Sequence, residues 1–164
     1  MGLSSHAALW LLIPSLPAAL WIAWSDLKFM KITNRAVLYV GGVFIVFGLI
    51  ALPFSVWLWQ LLQMVIVLVL GVLIHSLRLV GGGDAKYAAA IAPFIAFSDI
   101  RGVLLLLPVM VLSAFVLHRV CARIPAIRRL TPDWKSWDAG KSFPMGLPLS
   151  GTLITYLSLA AFGA

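Results

Sequence analysis

The sequence has no glutamate, only five aspartates and a single cysteine, Cys121. One cysteine excludes an internal disulfide and any multi-cysteine metal site. Cys121 itself reads as a small apolar filler near a helix end. No metal or other cofactor is expected from the remaining side chains. Charge is scarce as well: 10% of residues are charged, against about 25% in an ordinary soluble domain. Apolar residues take up the difference, at 63% of the chain and a mean hydropathy of +1.08. A single soluble core cannot hide that much apolar surface, so the solvent is lipid. The length then allows one compact membrane domain over residues 1–164 and no separate soluble one.

Six apolar segments stand out: Ala7–Trp24, Ala36–Leu52, Val56–Leu77, Ala85–Phe97, Val103–Leu117 and Met145–Phe162. A helix needs about 17–25 residues to cross the hydrocarbon core. The first, second, third and sixth meet that. The fourth and fifth are short, and the polar turn Ser98–Gly102 between them makes a helical hairpin that extends into its flanks. None of the segments alternates with period two, which rules against a barrel. No Lys or Arg precedes the first segment, so it reads as a retained membrane helix and not a signal peptide. Pro14, Pro17, Pro93 and Pro108 lie within the runs and predict kinks. The expected fold is therefore an all-α bundle of six transmembrane helices, with a long polar loop before the last.

The net charge of +7 would suggest nucleic acid in a soluble protein. Here the basic residues lie between apolar runs, and no nucleic-acid partner is expected. Eleven of the twelve occupy odd-numbered connections: Lys28, Lys31 and Arg35; Arg78 and Lys86; then Arg119, Arg123, Arg128, Arg129, Lys135 and Lys141. Arg101 alone occupies an even one. The positive-inside rule puts the odd connections in the cytoplasm and both termini outside, with the basic groups near anionic lipid head groups. The long fifth connection, Arg119 to Pro144, carries Trp134 and Trp137. It reads either as a loop on the membrane surface with its tryptophans at head-group level, or as a flap near a substrate site.

With five acids the search for chemistry is short. Asp26 ends the first helix and Asp84 opens the fourth. Two crossings separate them, so both fall on the cytoplasmic face. A carboxylate where an apolar run meets a polar connection is a functional candidate. Each also has a structural reading: Asp84 as a helix N-cap, Asp26 as a partner of Lys28. Gly81, Gly82 and Gly83 precede Asp84 directly. Glycine lets another backbone come close, and such a stretch leaves room for an extended substrate beside an acid. Two adjoining carboxylates cannot both ionise easily. They share a proton, so one serves as base on a water and the other as acid on a carbonyl oxygen. Asp99 falls on the outer face. Asp133 and Asp138 lie in the polar loop, where an acid costs little. His75 reads as a hydrogen-bonded interior histidine; His6 and His118 lie near helix ends and carry no signal.

Gly81-Gly82-Gly83-Asp84 matches the GxGD signature of membrane aspartyl peptidases, and Ala85-Lys86 is familiar in their bacterial branch. Asp26 to Asn34 resembles the type IV prepilin peptidase pattern of an acid, basic residues and an Ile-Pro-Asn triplet, with Thr33 in place of the proline. Phe143-Pro144-Met145-Gly146-Leu147-Pro148 resembles that family's approach to its last helix. The chain lacks the paired CxxC region associated with N-methylation. It therefore resembles the short form linked to Flp-type tight-adherence pili. The resemblance implies an aspartic endopeptidase of the bacterial inner membrane. Its partner would be a prepilin or pseudopilin, whose short basic leader it removes at the cytoplasmic boundary. Asp26 and Asp84 would be catalytic, the three glycines would shape the site, and Lys86 and Asn34 would hydrogen-bond near it. A small ion-coupled transporter subunit also pairs intramembrane carboxylates, but it would place them nearer mid-membrane and show inverted repeats. A non-enzymatic assembly subunit would make both acids dispensable.

Overall fold

A buried stripe organises the first helix. In the computed structural model, which describes residues 1–140 and 142–163, α1 runs Ser5–Phe29 and starts where Ser4 Oγ accepts the Ala7 N–H at 3.2 Å. Ala8, Leu11, Ser15, Ala19, Ile22 and Asp26 are all buried. Their spacing of three and four residues is that of one helix face. Small members let neighbouring backbones approach. The one hydroxyl midway, Ser15, is satisfied within the helix by the Leu11 carbonyl at 2.7 Å. Asp26 is thus the last step of a stripe that faces the bundle interior along its whole length.

The helices that follow are α2 (Asn34–Ala51), α3 (Phe54–Ser76), α4 (Gly82–Ile91), α5 (Ile100–Ala122), α6 (Pro125–Leu130) and α7 (Gly146–Phe162). No strand occurs among the described residues. α1, α2, α3 and α5 are each long and apolar enough to cross a membrane, and α7 is a shorter apolar helix. The chain is a multi-pass membrane protein. α7 packs along α1, α2 packs on the other side of α1, and α4 lies against α3 and α2. α5 packs on α7. Most of α3 and α5 is exposed, including Leu70, Val72, Leu104 and Leu105. In water such a surface would aggregate; against lipid tails it is the natural face. Helix association then rests on close packing and hydrogen bonds.

Three expectations from the sequence change. The fifth apolar segment lengthens into the 23-residue α5, but the fourth does not. α4 gives way to a 3-10 turn at Ala92–Phe94, and a second turn covers Phe97–Asp99. Pro93, at the centre of the first, has no N–H to continue the α-helical ladder. The Ala92 carbonyl accepts the Ile95 N–H at 3.1 Å and also Nε2 of Gln63 from α3 at 2.8 Å. Second, α6 interrupts the long loop. Third, Trp137 faces the protein interior. It is 8% exposed, stacks on the ring of His118 at 4.7 Å and donates to the Thr131 carbonyl at 3.0 Å. The turn Lys135–Asp138 packs against α1. Lys141, counted among the loop's basic residues, lies outside the described residues.

Candidate active site

The turn after α1 sets the end of that helix, which carries Asp26, against the start of α4, which carries Asp84. Met30 takes a left-handed conformation (φ 54°), and its N–H returns to the Asp26 carbonyl at 2.8 Å. Ser25 Oγ donates to the Lys31 carbonyl at 3.2 Å and pins the reversal. Ile32 is thereby turned inward. A Cβ on Gly83 would lie 3.2 Å from the Ile32 Cβ, so the end of α1 is held against the start of α4. Asp26 is 5% exposed. Its Oδ2 accepts the backbone N–H of Gly146 at 2.7 Å. Three elements therefore meet here: the last turn of α1, the first turn of α4 and the first residue of α7.

Asp84 is not the N-cap of α4. Gly81 holds that position and Asp84 is three residues on, where its carboxylate reaches back to the Gly81 N–H. That is the acidic half of a capping box. Gly81 allows it by lacking a side chain: a Cβ there would stand 2.5 Å from Asp84 Oδ2. Asp84 is half-buried, in the first turn of α4 and outside the four long spanning helices. Burial and the neighbouring charge of Asp26 push its carboxyl up to about 6, against the pull of the Gly81 N–H. A half-buried acid raised by a second acid is the electrostatic arrangement in which one proton is shared.

The glycines before Asp84 do not face open space. A Cβ on Gly82 would lie 3.2 Å from the His75 ring, as one on Gly83 would from Ile32. The room left by the missing side chains is taken up by the chain itself, drawing α3 and the α1–α2 turn onto the start of α4. His75 is exposed, not interior. Its Nδ1 lies 2.9 Å from the Val80 carbonyl and braces the α3–α4 turn. Lys86 Nζ donates to Asn34 Oδ1 at 3.3 Å. That exposed pair joins α4 to α2. Two residues along a helix is about 200° of rotation, so Lys86 leaves α4 on a different face from Asp84. Asp99 belongs to another network at the far end of α4. It accepts from the Gly2 N–H at 2.8 Å and the Tyr156 hydroxyl at 2.9 Å.

The model of the type IV leader peptidase family matches residues 12–122. The chain belongs to this family. The match takes in Asp26, Asn34, the three glycines, Asp84 and Lys86, and it stops at the end of α5. Gly146, whose N–H holds Asp26, lies beyond it. No curated protein and no solved structure matches the chain.

In the sequence, Phe143–Pro148 carries only a resemblance, and no role for Gly146 follows from it. A glycine opening an apolar helix is too common to reveal a backbone donor aimed at an acid 120 residues away. Nor does the sequence point to the bond of 2.9 Å between the buried Tyr87 hydroxyl of α4 and Ser150 Oγ of α7. Tyr87 follows Asp84 by three residues and Ser150 follows Gly146 by four. The bond fixes the register of α4 against α7, and so the height of Asp84 relative to the Gly146 donor.

Proposed function

We propose that this member of the leader peptidase family is an aspartic endopeptidase. It removes the short basic leader of a prepilin or pseudopilin at the cytoplasmic boundary of the bacterial inner membrane. The observation that carries this reading is that Asp26 of α1, held by the Gly146 N–H, lies near enough to Asp84 of α4 for its charge to raise that carboxyl. In the reaction one carboxylate takes a proton from water, whose oxygen attacks the carbonyl carbon after the leader. The other carboxyl donates its proton to the carbonyl oxygen. The tetrahedral intermediate then collapses: the C–N bond breaks, the nitrogen takes a proton from the dyad, and a carboxyl and an amine leave. Asp26 has a backbone donor, the Gly146 N–H, on its Oδ2, and Asp84, raised to about 6, holds a proton more tightly than an ordinary carboxyl. Asp26 is therefore assigned as the base and Asp84 as the acid.

Six crossings are part of the same reading. α1, α2, α3, the α4 region from Ala85 to Phe97, α5 and α7 alternate through the bilayer, with both termini outside and the dyad on the basic, cytoplasmic side. The test is cleavage of a co-expressed prepilin in membranes by wild type, Asp26→Asn and Asp84→Asn. Asn keeps the size and cannot exchange a proton. Full-length substrate is expected to accumulate with both variants while they insert normally. Cleavage at the wild-type rate by either one refutes the dyad and returns the transporter and assembly-subunit readings.

A further inference from the structure

Hydrogen bonds, more than packing, shape the turn from α3 to α4. Leu77, Leu79 and Val80 are all exposed. Arg78 is left-handed (φ 59°), a conformation that a residue with a Cβ adopts at a cost. Its N–H returns to the His75 carbonyl at 2.8 Å, and the Leu79 N–H to the Ile74 carbonyl at 3.3 Å. Those two bonds close α3. The next peptide, from Val80 to Gly81, is held by a side chain. His75 Nδ1 lies 2.9 Å from the Val80 carbonyl oxygen. A carbonyl only accepts, so Nδ1 carries the hydrogen. The ring is seated against the start of α4, where a Cβ on Gly82 would lie 3.2 Å from its Cε1 and Nε2.

The Val80 carbonyl and the Gly81 N–H are the two ends of one planar peptide. His75 holds the first end, and the second meets the Asp84 carboxylate. Because the group is rigid, a rotation that breaks one bond also turns the donor of the other. Donation to a carbonyl also polarises its amide and strengthens the N–H as a donor. There is little slack on the Asp84 side, since a Cβ on Gly81 would lie 2.5 Å from Asp84 Oδ2.

We propose that His75 is a positioning residue for Asp84, acting through the Val80–Gly81 peptide. What Asp84 does in the reaction rests on the peptidase reading above; its link to His75 does not. The Gly81 N–H lowers the Asp84 carboxyl, against the rise to about 6 caused by burial and Asp26. A weakened N–H therefore lets the carboxyl rise further. Among the surrounding elements, α1 brings Asp26, α2 brings Asn34, bonded to Lys86 of α4, and α7 brings the Gly146 N–H, bonded to Asp26. Arg78 belongs to the turn itself. All of these stay unchanged when His75 is replaced, so a difference between replacements traces to that side chain.

Three replacements separate the donor from the rest of the ring. His75→Asn places an amide nitrogen as many bonds from the backbone as Nδ1. His75→Gln places the same amide one bond further out, and His75→Leu has no donor. Each is read twice. One readout is kcat and KM for prepilin cleavage from acid to alkaline pH. The other is the pH midpoint of the carboxylic-acid infrared band that is missing from Asp84→Asn. Leu and Gln should lower kcat about 10-fold with KM within about twofold. They should move the alkaline limb of the rate profile and the infrared midpoint up by about 0.5 in pH. Asn should restore both to the wild-type position and cleave within about threefold of wild type. Ser76→Ala, which frees the Leu73 carbonyl bonded at 2.7 Å in the same helix end, should leave the midpoint in place. If Leu does not fold, the comparison of Asn with Gln decides. A midpoint that Leu and Gln leave unmoved, or one that Asn moves as far as Gln does, overturns the link. Cleavage with unmoved midpoints overturns the link alone. Moved midpoints with no prepilin cut by wild type overturn the peptidase reading and leave the link standing.

Discussion

Replacing Gly146 by alanine should disable the site while leaving the bundle assembled. The new Cβ would lie 2.9 Å from the Asp26 Cβ and 3.0 Å from its Oδ2. Carbon atoms in contact settle at about 3.5–4.0 Å, so roughly 0.6–1 Å of movement is forced. The Asp26 Cβ is fixed to the backbone of α1 and cannot rotate away; either α1 shifts against α7 or the carboxylate turns from the Gly146 N–H. Overpacking of this kind costs about 1–3 kcal/mol, and a displaced bond to a charged group about 1.5–3 kcal/mol. For catalysis the position matters more, because a misplacement of about 1 Å can cost about 100-fold in rate. Cleavage by Gly146→Ala should therefore fall about 30- to 100-fold, with a lower Tm in detergent. Gly151→Ala, on the same helix, is the control. Its Cβ would meet only Met110 Sδ at 3.7 Å, an ordinary contact, and it should cleave within twofold of wild type. The readout is leaderless product per unit of folded protein, separated by mobility. If Gly146→Ala cleaves within threefold of wild type, the Gly146–Asp26 contact plays no part in the reaction.

Asp84→Asn should raise Tm at pH 7.5. The Asp84 carboxyl moves from an ordinary 3.8 to about 6 in the folded protein, so the folded state holds the proton more tightly than the unfolded one. Its contribution to stability is fully present below about 3.8 and lost as pH rises through about 6, a difference of at most about 3 kcal/mol and nearer 1 after screening by water at a half-buried site. The gain from Asn should vanish at pH 4; a lower Tm for Asp84→Asn at pH 7.5 refutes the electrostatic account. Tyr156→Phe removes the hydroxyl that donates to Asp99 at 2.9 Å and accepts from the Ala96 N–H at 3.0 Å. It should cost about 1–3 kcal/mol in Tm or denaturant midpoint, with cleavage at low temperature unchanged. Gly71→Ala forces α3 from α4 at a 3.1 Å contact and should lower both Tm and activity. Gly41→Ala, with nothing within 4 Å, should lower neither.

Much of the fold was legible because lipid imposes simple demands. Backbone groups must be paired within each segment, so a continuous apolar run reads directly as a helix. The bounds of α1, α2, α3 and α7 agree with those runs to within a few residues. The end of the fourth segment was harder to read, since proline is tolerated inside α1, as Pro14 and Pro17 show, yet α4 ends just before Pro93. Around Pro93 partners come from other helices, Gln63 on the Ala92 carbonyl and the Tyr156 hydroxyl on the Ala96 N–H, which no local pattern announces. The burial of Trp137 could not be read for a related reason. A tryptophan in a basic loop suits the membrane interface by composition, and only the packed ring of His118 draws it inward.

Asp26 and Asp84 could be singled out from the sequence alone because acids are so few and both stand where apolar helix meets polar turn. Their partners could not. That Asp26 meets the N–H of Gly146 and that Ile32 and His75 occupy the space beside the glycines are facts of relative helix position. Composition and periodicity act within one helix and fix which of its faces is buried. Which residue of another helix lies opposite is decided by the summed packing of all of them, and that sum exists only in the folded bundle.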